Sequence, residues 1–379
     1  MELSENNKKK LIVLYKQDNN NPKNTWSGTS YQLKEALKEY FNVVFVDSND
    51  SKLLGYIKSI SNIIEKKTKS IFIKPLYEYL HKCSINFKLK EYENVPVLEI
   101  SENVDINNDY YLYRDMAYAC YPYALDKFNN DGNDYGRGML RHISKKALIK
   151  RIENEKRLIE RSKCNFFMGQ WNVDLLNSKY SCYTDKFISV GGGINKELHC
   201  NVSTTNEKKI LFVGIDFLRK GGDVVVEAYK ILKEKYDKDA ELIIAGADYK
   251  SSEEGITCLG KLNRDELSKV FSTSSVFCMP SRFEAYGLVF LEAQCYGLPI
   301  VAYDDYEMHY FVKEGINGYL IKEHSAEELA ETLHKALNNK KMINYMRENA
   351  ISFKDQHSWD AVAKKIAEVI NERSFNISK

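Results

Sequence analysis

Two carboxylates, Glu284 and Glu292, interrupt an otherwise apolar stretch, "SRFEAYGLVFLEAQCYGLPIVAY", Ser281 to Tyr303. Burying an unpaired carboxylate costs several kcal/mol, so both need partners or a task. The strand-like "SVFCMP" ends at Pro280, and a helix is expected to begin near Tyr286 or Gly287. Glu284 then stands on the loop at the strand's carboxyl end, and Glu292 about one and a half turns inside the helix. Between them, the amides of Gly287, Leu288 and Val289 form a helix N-terminus, which attracts anions, and Gly287 lets a bulky group approach the backbone. Plainer structural roles also fit: Glu284 complements the helix dipole, and Glu292 occupies the surface of an amphipathic helix. Upstream, Arg219 and Lys220 follow a strand and open a helix, where an ordinary solvated pair of cations also fits.

The surrounding pattern places these groups. Strand-like "KILFVGI", "AELIIAG", "ITCLG", "SVFCMP" and "PIVAY" alternate with helical "GGDVVVEAYKILKEKY", "NRDELSKVFSTS" and the stretch quoted above. Strands alternating with helices predict a doubly wound parallel sheet, whose ligands bind at the strands' carboxyl ends. The first half repeats the pattern less clearly: "KKLIVLY", "NVVFVDS", "SIFIKP", "VPVLEIS", "CNFFMG" and "KFISVGGGI" read as strands, "TSYQLKEALKEYF" and "SKKALIKRIENEKRLIERS" as helices. Asn107 to Arg141, rich in Tyr and Asn, is the least patterned. Polar "CNVSTTNEK", Cys200 to Lys208, reads as a linker. The expected fold is α/β, with an N-terminal Rossmann-like domain over 1–200, a C-terminal one over 209–358, and a last helix over 359–379.

A chain of 379 residues, with 44% hydrophobic and 28% charged residues, suits two soluble domains. No run approaches the 18 or so apolar residues that cross a bilayer, and "MELSENNKKK" has no apolar leader core. The expected location is the cytoplasm. Eight scattered cysteines without CxxC spacing read as reduced thiols, not metal ligands. Net charge is +2, near +6 in the first 200 residues and −4 in the rest. No basic stripe interleaved with aromatics argues for nucleic acid.

"EAYGLVFLE", Glu284 to Glu292, followed by "AQCYGLPIVA", resembles the E-x7-E signature of retaining GT-B glycosyltransferases (glycosyl transferases group 1, family 4-like). The resemblance extends through "FVGIDFLRKGGDVVVEAYKIL", "AELIIAG", "CLGKLNRDEL" and "EGINGYLI", and rests in the first half on "WSGTSYQLKEAL" and "FISVGGGIN". It implies two facing Rossmann-like domains around a cleft, with the nucleotide sugar on the second domain, the acceptor on the first, and the closing helix over 359–379 able to cross back to the first domain. Such an enzyme moves a sugar, a UDP-linked hexose by family abundance, to a glycan, lipid-linked or protein acceptor. It uses no cofactor and no metal, and can stand peripherally at the inner membrane face.

By the same resemblance, Lys220 and Arg219 contact the diphosphate. The family's arginine directly after the strand's glycine is replaced here by Ile215, and Arg219 is the candidate substitute. Glu292 accepts from ribose hydroxyls and Glu284 from hydroxyls of the transferred sugar, since an ionised carboxylate only accepts. Tyr286, Gly287, Leu288 and Val289 complete the donor site, and the base lies near Gly260, Lys261 and Leu262. Gly28 and Thr29 correspond to the loop that closes over the phosphates, although Thr29 could simply cap its helix. Asp115 in "LYRDMAYACY" is the candidate near the sugar, against a helix-surface aspartate paired with Arg114. Asp304-Asp305 reads as a surface loop, "GGG" at Gly191 to Gly193 as a loop near the hinge, and the Asn201 sequon carries no weight in a cytosolic chain. In "YDDYEMHYFVKEG", where relatives carry paired glycines, Tyr306, Glu307 and Tyr310 imply a different acceptor or sugar choice. Two rival readings stand: a GT-B nucleotide-sugar epimerase, which would turn over donor without acceptor, and a non-catalytic sugar-nucleotide-binding subunit.

Overall fold

The computed structural model describes residues 8–68, 74–130, 145–195, 201–323 and 325–375. The first sheet is built from β1 (Lys10–Tyr15), β2 (Asn42–Asp47), β3 (Val97–Ile100), β4 (Tyr110–Arg114), β5 (Cys164–Phe167) and β6 (Phe187–Ser189). The second holds β7 (Lys209–Val213), β8 (Glu241–Ala245), β9 (Ile256–Gly260), β10 (Val276–Met279), β11 (Ile300–Tyr303) and β12 (Gly318–Ile321). Each has six strands, ordered β2-β1-β3-β4-β5-β6 and β12-β11-β10-β7-β8-β9, and every pairing within them is parallel. Strands such as "KLIVLY" and "VFCM" read as apolar runs because both sheet faces are covered by helices.

The covering helices are α1 (Thr29–Leu37), α2 (Lys52–Thr68), α3 (Lys74–Leu89), α4 (Tyr121–Asn130), α5 (Lys145–Arg161), α6 (Gln170–Lys179), α7 (Gly222–Lys235), α8 (Arg264–Ser272), α9 (Leu288–Cys295), α10 (Met308–Phe311), α11 (Ala326–Asn338), α12 (Lys340–Gln356) and α13 (Trp359–Ile370). The expected strand "SIFIKP" falls between α2 and α3. Ser70–Ile73 lie outside the described residues, while Lys74 and Pro75 open α3, Pro being favoured where a helix's first amides have no partner. The poorly patterned stretch after Asn107 supplies β4, a fully buried strand of three tyrosines, a leucine and an arginine.

Helix α13 follows the second sheet in sequence but packs on α1 of the first. Its Trp359 is fully buried, and its ring sits where a Cβ on Gly193 would lie, within 2.4 Å. Beyond α13, Tyr111 and Ser374 hydroxyls meet at 2.7 Å, and Arg373 donates to the Lys163 carbonyl at 2.8 Å.

Each sheet has a place where neighbouring strands lead to helices on opposite sides, and a crevice opens there beyond the strand ends. In the second sheet it falls between β7 and β10, and in the first between β1 and β3.

Candidate active site

The second crevice is bounded by the loops leaving β7 and β10, and these carry the candidate ionic residues. After Val213 the chain turns through Gly214, over which the Lys220 side chain folds, its Cγ 2.8 Å from where a Cβ would be. Gly221, in the left-handed region at φ +77°, caps α7 so closely against Pro280 that a Cβ would lie 2.2 Å from its carbonyl oxygen. Arg282 fastens the two loops together. Its guanidinium makes a two-pronged pair with Asp223, at 2.7 and 2.8 Å, and donates to the Leu218 carbonyl at 2.5 Å. Its amide donates to the Arg219 carbonyl at 2.9 Å. Arg282 is absent from the sequence-derived candidates because nothing in its spacing distinguishes it from a solvated arginine.

This scaffold brings three candidates together. Lys220 donates to the Glu284 carboxylate, both side chains being mostly buried. Arg219 donates to the Phe283 carbonyl at 2.8 Å, lies 4.0 Å from Glu284, and is held from behind by Asp216 at 3.1 Å. Ile215 is 80% exposed and takes no part in this cluster. Beside it, α9 starts at Leu288 with Gly287 as its cap at φ +94°, and among the described residues no side-chain cap hydrogen bond is made there. Its first amides therefore remain available to an acceptor.

Glu292 lies on α9, and burial pushes its carboxyl up to about 7, with Arg264 pulling the other way. Asp115 sits just after β4. Its carboxyl is raised by desolvation and, against the help of the Met116 amide, by repulsion from Glu284, which puts the two carboxylates in each other's field across the cleft. Asp115 is not a helix-surface residue paired with Arg114. That arginine instead donates to Glu155 at 2.6 Å, a buried pair in which Glu155 also accepts from the amides of Tyr118 and Ala119, at 2.9 Å each. Asn172 closes the clamp, donating to the Asp115 carbonyl at 3.1 Å.

Other candidates take different places. Lys261 is exposed and Leu262 half-buried on the loop after β9. Tyr286 is buried with its ring against Gly192, so its side chain faces the segment joining the two sheets. Gly28, at φ +92°, is itself the cap of α1, and Thr29 is the first helical residue, making no side-chain cap. Gly28 is seated against Asn195, which donates to the Ser27 carbonyl at 2.9 Å and accepts from the Trp359 indole at 3.2 Å.

A second set of contacts across the cleft was not foreseen. Asp305 is buried, contrary to its expected surface position, because it accepts from the Tyr123 hydroxyl at 3.0 Å and the Tyr306 amide at 2.8 Å; only Asp304 is exposed. The Trp171 amide donates to Glu307 at 3.2 Å, and its indole N–H to the Ala285 carbonyl at 2.7 Å, one residue from Glu284. Tyr306 packs edge-on between the rings of Trp171 and Phe283, at 5.1 and 5.4 Å. The composition of "DDYEMHY" marks this segment as unusual, but nothing in the sequence pairs it with Trp171.

The first sheet's crevice leads to a cavity of about 490 Å³, walled by Lys58, His81, Lys82, Glu102, Tyr118 and Glu155 among others. The Lys16 amide at the end of β1 donates to Glu102 at 2.8 Å, so strand ends β1 and β3 meet there. Among the described residues, no cluster of His, Cys, Asp and Glu has metal-binding geometry.

Residues 196–353 match the family Glycosyl transferases group 1. An uncharacterized glycosyltransferase of Methanocaldococcus jannaschii is 28% identical over 198 residues, 50% of this chain and 55% of that protein. The matches span about half the length of the curated relatives. WaaG, a glycosyltransferase involved in lipopolysaccharide biosynthesis, superposes with a TM-score of 0.62 at 16% identity, over 95% of this chain and 99% of its own. Anabaena HepE, solved with UDP and glucose, superposes with a TM-score of 0.55 at 11% identity, over 95% and 99%. Residues 196–353 thus match the glycosyl transferases group 1 family, in a chain whose two parallel sheets have the GT-B architecture.

Proposed function

We propose that this protein transfers a sugar, with a UDP-linked hexose the favoured donor, from a nucleotide diphosphate to a hydroxyl of a glycan, lipid-linked or protein acceptor, with retention at the anomeric carbon. The observation that carries the reading is the gathering of Lys220, Arg219 and Glu284 beside the uncapped α9 terminus, at the crevice where such sheets bind ligands. Support also comes from the family match and from HepE, an architectural neighbour solved with UDP and glucose.

In this reading the diphosphate takes the place of Glu284 as the partner of Lys220, with Arg219 standing in for the arginine missing at Ile215. The amides of Leu288 and Val289 face the distal phosphate. Glu284, released, accepts from the sugar's hydroxyls, and Glu292 from the ribose diol. The bond from the anomeric carbon to the phosphate oxygen breaks, its electron pair leaving with the diphosphate. Fixed positive charge stabilises that departure and does the work that a metal does elsewhere. The acceptor hydroxyl attacks on the same face and gives its proton to a diphosphate oxygen. Asp115, held by the Glu155 and Asn172 clamp, lies on the acceptor side. The acceptor occupies the first sheet's crevice, and the protein works in the cytoplasm, peripherally at a membrane face.

The test is incubation with a panel of nucleotide sugars, following nucleoside diphosphate release with and without candidate acceptors. Transfer requires acceptor-dependent release and a product with the donor's anomeric configuration. Donor conversion without acceptor would indicate an epimerase, and tight binding without turnover a binding subunit.

A further inference from the structure

An amphipathic helix ordinarily turns its apolar face inward. Helices α2 and α3 bury Leu54, Ile85 and Leu89 but also carry apolar residues outward. On α2, Leu53, Tyr56, Ile60 and Ile63 recur at spacings of three and four and fall on one face, and each is more than half exposed. On α3, Leu76, Tyr79 and Phe87 form a second such stripe, from 54% to 79% exposed, with exposed Cys83 in line between them. Nine large apolar side chains among the described residues are more than half exposed, and seven of them are in these two stripes. The helices pack against each other, so the stripes belong to one surface.

The inward sides of the same helices are already engaged, by buried Leu54, Ile85 and Leu89 and by polar groups. Tyr77 donates to Asp50 at 3.0 Å, and His81 Nδ1 meets Asp50 at 2.7 Å. Lys82 pairs with Asp105 at 2.6 Å, and Lys88 donates to the Asp47 carbonyl at 2.7 Å. These groups stand around the first sheet's crevice, so the outward apolar faces are not the result of helices packed the wrong way round. Charge points to what covers them. Residues 52–89 contain eight lysines and two glutamates, whereas the rest of the chain has 47 lysines and arginines against 51 acids. The segment that carries this apolar surface thus has a net charge of +6, in a chain whose net charge is +2. Neither helix is long and apolar enough to cross a membrane.

We infer that α2 and α3 together form a membrane-docking surface that lies in the plane of a bilayer rich in acidic phospholipids, with the Leu53–Ile63 and Leu76–Phe87 stripes sunk into the headgroup boundary and the segment's net positive charge drawn to the anionic surface. This deepens the peripheral location proposed above by giving it a surface, but it stands on the helices alone, apart from the transfer chemistry. Docking there places the cavity beside the lipid, since Tyr79 belongs both to the exposed stripe and to the cavity wall.

Co-sedimentation of the full chain with vesicles tests this, using phosphatidylcholine alone and phosphatidylcholine mixed with phosphatidylglycerol. The wild type is expected to sediment with the mixed vesicles, less so at high salt, and poorly with the neutral ones. Paired substitution Ile60→Asp with Phe87→Asp should cut binding about tenfold or more, while UDP binding in solution and the melting temperature stay at the wild-type value. Loss of UDP binding in the wild type itself would instead count against the transferase reading and leave the vesicle result standing. The inference is overturned if wild type ignores anionic vesicles, if the variant binds them equally, or if the wild type is a dimer that the same substitutions separate, since the stripes then meet a second copy.

Discussion

At the scale of single residues, the site is a set of charges whose states depend on one another. Glu292 has its carboxyl raised to about 7 by burial, so it is only partly ionised at neutral pH, yet a ribose diol needs its ionised, accepting form. Donor affinity should therefore rise as pH goes from 6 to 8, approaching tenfold per unit on the acid side, and titration calorimetry with UDP should show a much flatter profile for Glu292→Gln. Folding has the opposite sign. Glu292 and Glu307, both near 7, and Glu99, near 8, are raised above the usual carboxylate value by burial. The folded chain then holds more protons than the unfolded one between about pH 4.5 and 8, and stability falls as pH rises through that window. Glu35 and Asp50, lowered by their partners, act only at more acid pH. Melting temperatures should thus decline from pH 5 to 8 in the free protein, and Glu307→Gln should soften the decline. A melting temperature that climbs across this range would contradict these burial effects.

At the scale of elements, the loop-to-helix junctions hold the site. Gly287 combines a left-handed backbone with close packing, since a Cβ there would lie 2.7 Å from the Phe290 ring and 3.1 Å from Glu284 Cγ. Gly287→Ala should cost about 1–3 kcal/mol of stability and weaken UDP binding, because it strains the helix start and displaces Glu284 together. Unchanged calorimetric affinity would show that this junction does not touch the donor. This junction was readable in the sequence because a conformational residue, Gly287, stands beside a charged one on an apolar background, and α9 begins within two residues of the expected place. The helices α2 and α3 were not foreseen. Many of their apolar residues face outward, and "SIFIKP" between them has strand-forming composition. The tyrosines of β4 were equally opaque, because they are satisfied by distant groups: Tyr110 donates to Leu158 and Tyr113 to Gly191.

At the scale of the whole molecule, the two sheets are tied by a chain that returns on itself. Trp359 fills the space that Gly193 leaves, donates to Asn195, and starts the helix that covers α1. Trp359→Ala should destabilise the protein by about 3–5 kcal/mol, lowering the denaturant midpoint. Because Asn195 also holds the Ser27 carbonyl beside Gly28, the variant should bind donor less well even where it remains folded. Periodicity revealed two alternating halves and the resemblance suggested the returning helix. The contacts that set the halves against each other, Trp171 with Glu307 and Tyr123 with Asp305, join residues more than 130 positions apart, and no local spacing records them.

The central claim, that Lys220 and its neighbours receive a nucleotide diphosphate, is tested most directly by calorimetric titration of UDP, with other nucleoside diphosphates alongside, into the wild type and Lys220→Ala. The wild type should bind at least one of them, and Lys220→Ala should lose about 1.5–3 kcal/mol of that binding, roughly ten- to a hundredfold in Kd. Equal affinity in both proteins, or no binding of any nucleoside diphosphate by the wild type, would contradict the account.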